Sequence, residues 1–135
     1  MARGDVYVNR TNKAAPMIPP APILDVYYAS TCVPCRLELP VLAQAVQDGL
    51  PVTVVVLTEE ARARRELAAV SPGLEAAAVA APAATDPRAT LRAAGDPDGI
   101  LPFSVARRPD GRACRTWRGS LTLDRIRRLL ASCGL

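Results

Sequence analysis

Histidine is absent from this chain, lysine occurs once, at Lys13, and aromatic residues make up only 4% of it. Without histidine the chain lacks the commonest metal ligand and the side chain best suited to proton transfer near neutral pH. With so few rings, aliphatic and alanine side chains must fill the interior, and no series of aromatics is available for stacking bases. An apolar run of about 18 residues is also missing, which excludes a helix that spans a membrane. Met1 to Pro22 has no apolar core of the kind a secretory signal needs. Two expectations follow for location: work in the cytosol, or export by a leader that is not part of this sequence.

What is present fits a single soluble domain. The 135 residues are 50% hydrophobic and 22% charged, enough to bury a core. The net charge of +4 suggests nucleic acid at first sight, but its arrangement argues otherwise. Arg62, Arg64 and Arg65 are interspersed with Glu59, Glu60 and Glu66. Arg125, Arg127 and Arg128 alternate with Leu123, Ile126, Leu129 and Leu130, the pattern of a helix with one wet side. Solvated helix faces account for these charges better than a nucleic-acid surface does.

The chemistry is concentrated in Cys32-Val33-Pro34-Cys35. This tetrapeptide follows a strand-like run, Ile23 to Ala29, and opens a helical pattern. A thiol at a helix start has its pKa lowered by the backbone N–H groups, and a second thiol one turn on can close back on it. Cys32 is therefore the expected attacking thiolate and Cys35 the more buried, resolving thiol. A static disulfide or half of a metal site is the competing explanation. Zinc would want a further closely spaced pair of ligands, but Cys114 and Cys133 stand apart and there is no histidine.

Around this motif the pattern predicts an arm and a domain. Residues 1–22 form a polar, proline-rich arm, with Val6-Tyr7-Val8 as a possible edge strand and Pro16, Pro19, Pro20 and Pro22 favouring an extended course. Residues 23–135 form the domain. A strand over Ile23 to Ala29 leads to a helix over Val33 to Gln47, kinked at Pro40. Val52 to Leu57 is apolar on both faces, as a central parallel strand would be. Thr58 is expected to cap a helix running to Val70, ended by Ser71-Pro72-Gly73. Leu74 to Ala81 fits either helix or strand, and Asp86 to Ala94 a short helix. Strands over Phe103 to Arg107 and Ala113 to Arg118 flank Pro109-Asp110-Gly111, a turn in which proline presets one angle and glycine allows a positive one. A last amphipathic helix covers Thr122 to Ala131.

This order, together with Tyr27 to Pro40, Leu101-Pro102, Pro109-Asp110-Gly111 and Gly119, resembles the thioredoxin superfamily, in particular the TlpA-type bacterial thiol–disulfide oxidoreductases. The resemblance covers about Ile23 to Ala131. It implies an α/β thioredoxin fold: a central mixed β-sheet flanked by helices, with a C-terminal β-hairpin and helix. It also implies that Pro102 is a cis-proline facing the cysteines, and that Glu38 matches a glutamate which assists proton movement. An exposed glutamate on the helix surface is the plainer expectation for Glu38. Two departures separate the chain from housekeeping thioredoxins. Val26 stands where those have a buried aspartate, with Asp25 directed to the other face of the strand, and Thr31 replaces the aromatic before the first cysteine.

On this resemblance the chain is a protein disulfide reductase. Cys32 and Cys35 carry the redox chemistry, and Thr31, Val33, Pro34, Leu101 and Pro102 line the substrate groove. No bound cofactor is required; the partners are a protein or peptide disulfide and an upstream electron donor, acting on a monomer. The family resemblance favours the bacterial periplasm. Pro34 and the lack of a histidine beside the thiolate lean towards a reductant. The alternatives are a peroxiredoxin-like peroxidase, and a non-catalytic binding module or copper chaperone using the two thiols as soft ligands. A copper-handling relative would normally add a histidine. Cys114 and Cys133 fit either ordinary core positions or a second disulfide. Trp117 is expected to fill core.

Overall fold

A computed structural model describes residues 21–82 and 86–134. The expected arm, apart from Ala21 and Pro22, and its Val6-Tyr7-Val8 strand lie outside the described residues. Among those described, the elements are β1 (Ile23–Tyr28), α1 (Val33–Leu37), α2 (Leu39–Gln47), β2 (Val52–Val56), α3 (Glu60–Val70), α4 (Pro72–Ala76), β3 (Ala78–Ala80), α5 (Pro87–Ala93), β4 (Phe103–Arg107), β5 (Ala113–Arg118) and α6 (Leu123–Ala131).

The strands form one mixed sheet in the order β3-β2-β1-β4-β5. β1 runs parallel to β2, with Val26 opposite Val54, and antiparallel to β4, with Val26 opposite Ser104. β2 and β3 are parallel; β4 and β5 form the antiparallel hairpin that the Pro109-Asp110-Gly111 turn predicted. That turn is closed by the Gly111 N–H donating to the Arg108 carbonyl at 2.8 Å, with Gly111 at φ +91°.

Side chains alternate across the sheet, so β1 feeds two cores. Leu24, Val26 and Tyr28 join Leu39 and Leu42 of α2, Leu67 of α3, and Ile126, Leu129 and Leu130 of α6 on one face. Tyr27 joins Phe103, Val105 and Leu91 of α5 on the other. Each fully buried leucine or isoleucine here contributes roughly 1.5–3 kcal/mol of transfer free energy. Asp25 does lie on the face opposite Val26, where Arg107 Nε donates to its carboxylate at 2.8 Å. Arg107 also donates to the Tyr27 hydroxyl at 3.4 Å.

Several local expectations are corrected. The helix over Val33 to Gln47 is two helices, broken at Glu38 (φ −91°, ψ −2°) rather than bent at Pro40. Pro40 has no N–H for the Arg36 carbonyl and its ring crowds that carbonyl, so the disturbance falls two residues upstream of the proline. Thr58 does not cap the next helix. The helix begins two residues later, preceded by Glu59 in the left-handed region at φ 48°. Ser71 does more than end α3: its Oγ accepts from the Leu74 N–H at 3.0 Å and starts α4, with Pro72 in the first turn. The ambiguous stretch after it resolves into both structures, the rest of α4 and then β3. Trp117 is half-buried rather than a core filler. Its ring packs on the core on one side and carries the Arg125 guanidinium 3.9 Å from its centre on the other.

The second cysteine pair is a disulfide. Cys114 of β5 and Cys133, just past α6, are bonded, with Cα atoms 5.5 Å apart. The bond pins the last helix to the outer hairpin strand across a sequence separation of 19. Replacing both residues, in Cys114→Ala/Cys133→Ala, is expected to lower the unfolding free energy by about 2–4 kcal/mol, because the unfolded chain regains the entropy of an open loop. Urea unfolding of the oxidised proteins measures it, and equal midpoints for variant and parent would refute the crosslink's stabilising role.

Candidate active site

The site is assembled at one end of β1. Its chain turns after Tyr28, and the Cys32 N–H donates to the Ala29 carbonyl at 3.0 Å. Arg36 Nη1 reaches back to the Ser30 carbonyl at 2.6 Å and braces the same turn. Cys32 then stands at the N-cap of α1, in extended conformation, and its Sγ accepts from the Cys35 N–H at 3.2 Å. A cap position normally wants a side-chain oxygen for this N–H; here sulfur takes that place. The same contact that starts the helix thus directs a backbone donor at the sulfur that would carry negative charge when reduced.

Cys32 and Cys35 form a disulfide, with Cα atoms 5.2 Å apart. Cys32 is partly exposed whereas Cys35 is only 1% exposed, so Cys32 is the solvent-facing end of the disulfide. Thr31, Val33 and Pro34 are exposed beside it. Val33 and Leu37 lie one turn apart on the outer side of α1, and with Ile100 they are apolar side chains left in water.

Opposite stands the entry to β4. Because β1 and β4 are antiparallel, the end of one meets the beginning of the other. Continuing the Val26–Ser104 register places Pro102 beside Tyr28. The Leu101–Pro102 peptide bond is cis. The Pro102 carbonyl accepts from the Gly119 N–H at 3.0 Å, which ties it to the end of the hairpin. Leu101 and Thr31 share the lining of a surface groove of about 320 Å³, with Leu57, Arg88 and Gly99. Thus Thr31 and Leu101 are brought together at one groove beside Cys32.

Glu38 is the largest departure from the plain sequence expectation. It is 4% exposed, and its Oε2 accepts from the Leu121 N–H at 2.9 Å. Spacing holds the signal for this burial, since position 38 lies three residues after Cys35 and four before Leu42, both buried, whereas Leu37, which the apolar pattern alone would place inside, is exposed. Burial pushes its carboxyl up to about 7, although the Leu121 N–H pulls the other way. The sequence offers Ser30 and Thr31 as hydroxyl caps for the first helix, but the cap falls to Cys32. Two more polar residues at this end, Ser30 and the unremarked Asp96, are buried. Ser30 is fully buried, with no hydrogen-bond partner for its Oγ among the described residues. Asp96 is also fully buried, with Arg118 Nη2 donating to it at 3.0 Å.

Among the described residues no cluster of three or more histidine, cysteine, aspartate or glutamate side chains is placed to hold a metal ion, and no helix is long and apolar enough to cross a membrane.

No family model and no curated protein sequence matches the chain. Solved structures do. A thioredoxin-related protein from Neisseria meningitidis serogroup B is 18% identical, with a TM-score of 0.63 over 84% of this chain and 85% of that one. An exposed lipoprotein thioredoxin, Etrx1 of Streptococcus pneumoniae strain TIGR4, is 17% identical, with a TM-score of 0.62 over 83% and 84%. A secreted Mycobacterium tuberculosis disulfide oxidoreductase, homologous to E. coli DsbE, is 16% identical, with a TM-score of 0.57 over 84% and 82%. Together with the strand order and the placement of the cysteines, these likenesses establish the thioredoxin fold.

Glu38 gives the site a pH dependence whose sign is fixed. Below its ordinary value of 4.5 the carboxyl is neutral in both folded and unfolded chains. Between there and about 7 the unfolded chain releases the proton while the folded one keeps it. The stability Glu38 contributes is therefore complete below pH 4.5 and is lost as pH rises through 7, a fall of about 3 kcal/mol. Glu38→Gln should remove that slope. Urea unfolding of both proteins at pH 4.5 and pH 8.5 tests it; parallel profiles would mean that the carboxyl ionises in its ordinary range.

Proposed function

We propose that this chain is a thiol–disulfide oxidoreductase of the TlpA type, reducing protein or peptide disulfides through Cys32 and Cys35. The observation that carries the reading is the Cys32–Cys35 disulfide at a helix start, with one sulfur accessible and the other enclosed. The three neighbours described above, a thioredoxin-related protein, a lipoprotein thioredoxin and a disulfide oxidoreductase, support it.

In the reduced protein, the Cys32 thiolate attacks one sulfur of the substrate disulfide. A Cys32–substrate bond forms, the substrate S–S bond breaks, and one substrate thiolate leaves and takes up a proton. Cys35 then loses its proton and attacks the Cys32 sulfur. The second substrate thiolate departs, the Cys32–Cys35 bond closes, and two electrons have passed to the substrate. Glu38, one turn from Cys35 on the same buried stripe, is the group proposed to accept and return the Cys35 proton. Its carboxyl at about 7 suits that exchange near neutral pH. A dithiol donor upstream reopens the Cys32–Cys35 bond for the next cycle.

Substrate would lie across Thr31, Val33, Pro34, Leu101 and Pro102. The exposed Val33, Leu37 and Ile100 suit an extended peptide with apolar side chains near its disulfide, and the main chain at Leu101 offers it a strand edge. The compartment proposed is extracytoplasmic, such as the bacterial periplasm. The Cys114–Cys133 crosslink fits an oxidising setting, and two of the neighbours are described as secreted or exposed.

Equilibration in graded glutathione buffers, acid quenching, alkylation of the unfolded chain and peptide-level mass counting of the blocked Cys32 and Cys35 thiols test the couple. The expected result is a reversible transition of two thiols, abolished by Cys32→Ser and by Cys35→Ser. Cys35→Ser should also accumulate mixed disulfides through the accessible Cys32. Failure of the wild-type protein to form a reversible pair would overturn the oxidoreductase reading.

A further inference from the structure

The loop between α5 and β4 is organised around one carboxylate. Asp96 is fully buried, yet both its oxygens are occupied: Oδ2 accepts from the Ile100 N–H at 2.9 Å, and Oδ1 from the Asp98 N–H at 3.3 Å and Arg118 Nη2 at 3.0 Å. Its own N–H donates to the Leu91 carbonyl at 3.0 Å, and its carbonyl accepts from the Gly99 N–H at 3.1 Å. Residue 96 therefore ties the end of α5, the following loop and the end of β5 into one frame.

That frame ends at Leu101 and Pro102. Arg118, the cation on Asp96, is the cross-strand partner of Phe103, and the next residue, Gly119, donates to the Pro102 carbonyl. Gly99 completes it. At φ +63° it lies so close to Arg88 that a Cβ there would run into the Arg88 side chain and sit 3.2 Å from its carbonyl oxygen. A buried carboxylate is unfavourable unless donors surround it. Two of the donors here are backbone N–H groups of the very loop that leads into Leu101, so the shape of the loop and the solvation of the charge are the same set of bonds.

We infer that Asp96 is a positioning residue for the substrate strand: by fixing the loop before Leu101 and Pro102 it sets the backbone edge against which a peptide disulfide is held over Cys32. This rests on the oxidoreductase reading above. Asp96→Asn keeps the size but replaces one oxygen with an N–H donor, which then faces Ile100 N–H or Arg118. The cost should fall on substrates that use the backbone edge and spare those too small to reach it.

The test compares reduction of a disulfide-linked peptide with reduction of hydroxyethyl disulfide, which has no backbone to pair. Asp96→Asn is expected to slow the peptide reaction about tenfold, mainly through KM, as small misplacements of a binding edge do. Its rate with hydroxyethyl disulfide and the midpoint of the Cys32–Cys35 couple should stay as in the wild type. Arg118→Gln, at a half-exposed side chain, should change in the same direction to a smaller degree, and it makes the comparison should Asp96→Asn fail to fold. An unchanged peptide rate, or an equal slowing of both substrates, would overturn the assignment. A wild-type protein that reduces neither substrate would instead remove the oxidoreductase reading and this inference with it.

Discussion

The antiparallel pairing of β1 with β4 is the constraint on which the site depends. An antiparallel pair brings the end of one strand to the start of its partner. The residues after β1 include Cys32, and those before β4 are Leu101 and Pro102, so the disulfide and the proline loop converge although about 70 residues separate them. The parallel pairing of β1 with β2 buries the other edge of the same strand. With both edges hydrogen-bonded and both faces packed, β1 is a fixed base for the turn that carries the Cys32–Cys35 disulfide.

Two buried carboxylates shape the walls around that base, and they do so differently. Glu38 accepts a single backbone N–H and lies otherwise among apolar groups, so its charge is poorly solvated and its proton is held more tightly. Asp96 accepts two backbone N–H groups and a guanidinium, and its role is geometric. Burial alone does not decide what a carboxylate does; the number and kind of donors decide it. The break between α1 and α2 belongs to the same logic. It falls at Glu38 itself, so a helix terminus and a buried acid occupy one position.

Much of the fold was legible because it is encoded locally. Strand-like β1 and β2, the turn at Pro109-Asp110-Gly111 and the amphipathic α6 each carry their own periodicity or turn chemistry. The paired thiols announce themselves by spacing. What escaped depends on partners distant in the chain. Leu121, the donor to Glu38, lies 83 residues away, and Arg118 lies 22 from Asp96. Whether Cys114 could reach Cys133 was a question of Cα separation, which no sequence pattern measures. The stretch from Leu74 to Ala81 was undecided because alanine suits a helix, while pairing with β2 claims its last residues for the sheet. The N-terminus of α3 was misplaced because Thr58 has the hydroxyl that favours a cap, whereas the backbone puts the cap at Glu59, in the left-handed region and with no side-chain capping bond.

The contact between Glu38 and Leu121 joins a side chain to a main chain, and this has an evolutionary consequence. Every residue except proline carries the N–H that Leu121 supplies. Substitutions at position 121 that keep it apolar leave the bond in place, whereas most substitutions at position 38 abolish it. Selection would therefore leave its mark on one partner only, with no compensating change at the other. Divergent relatives could retain the acid at the counterpart of position 38 while the residue that hydrogen-bonds to it drifts freely, and a search for correlated substitutions would pass over the pair.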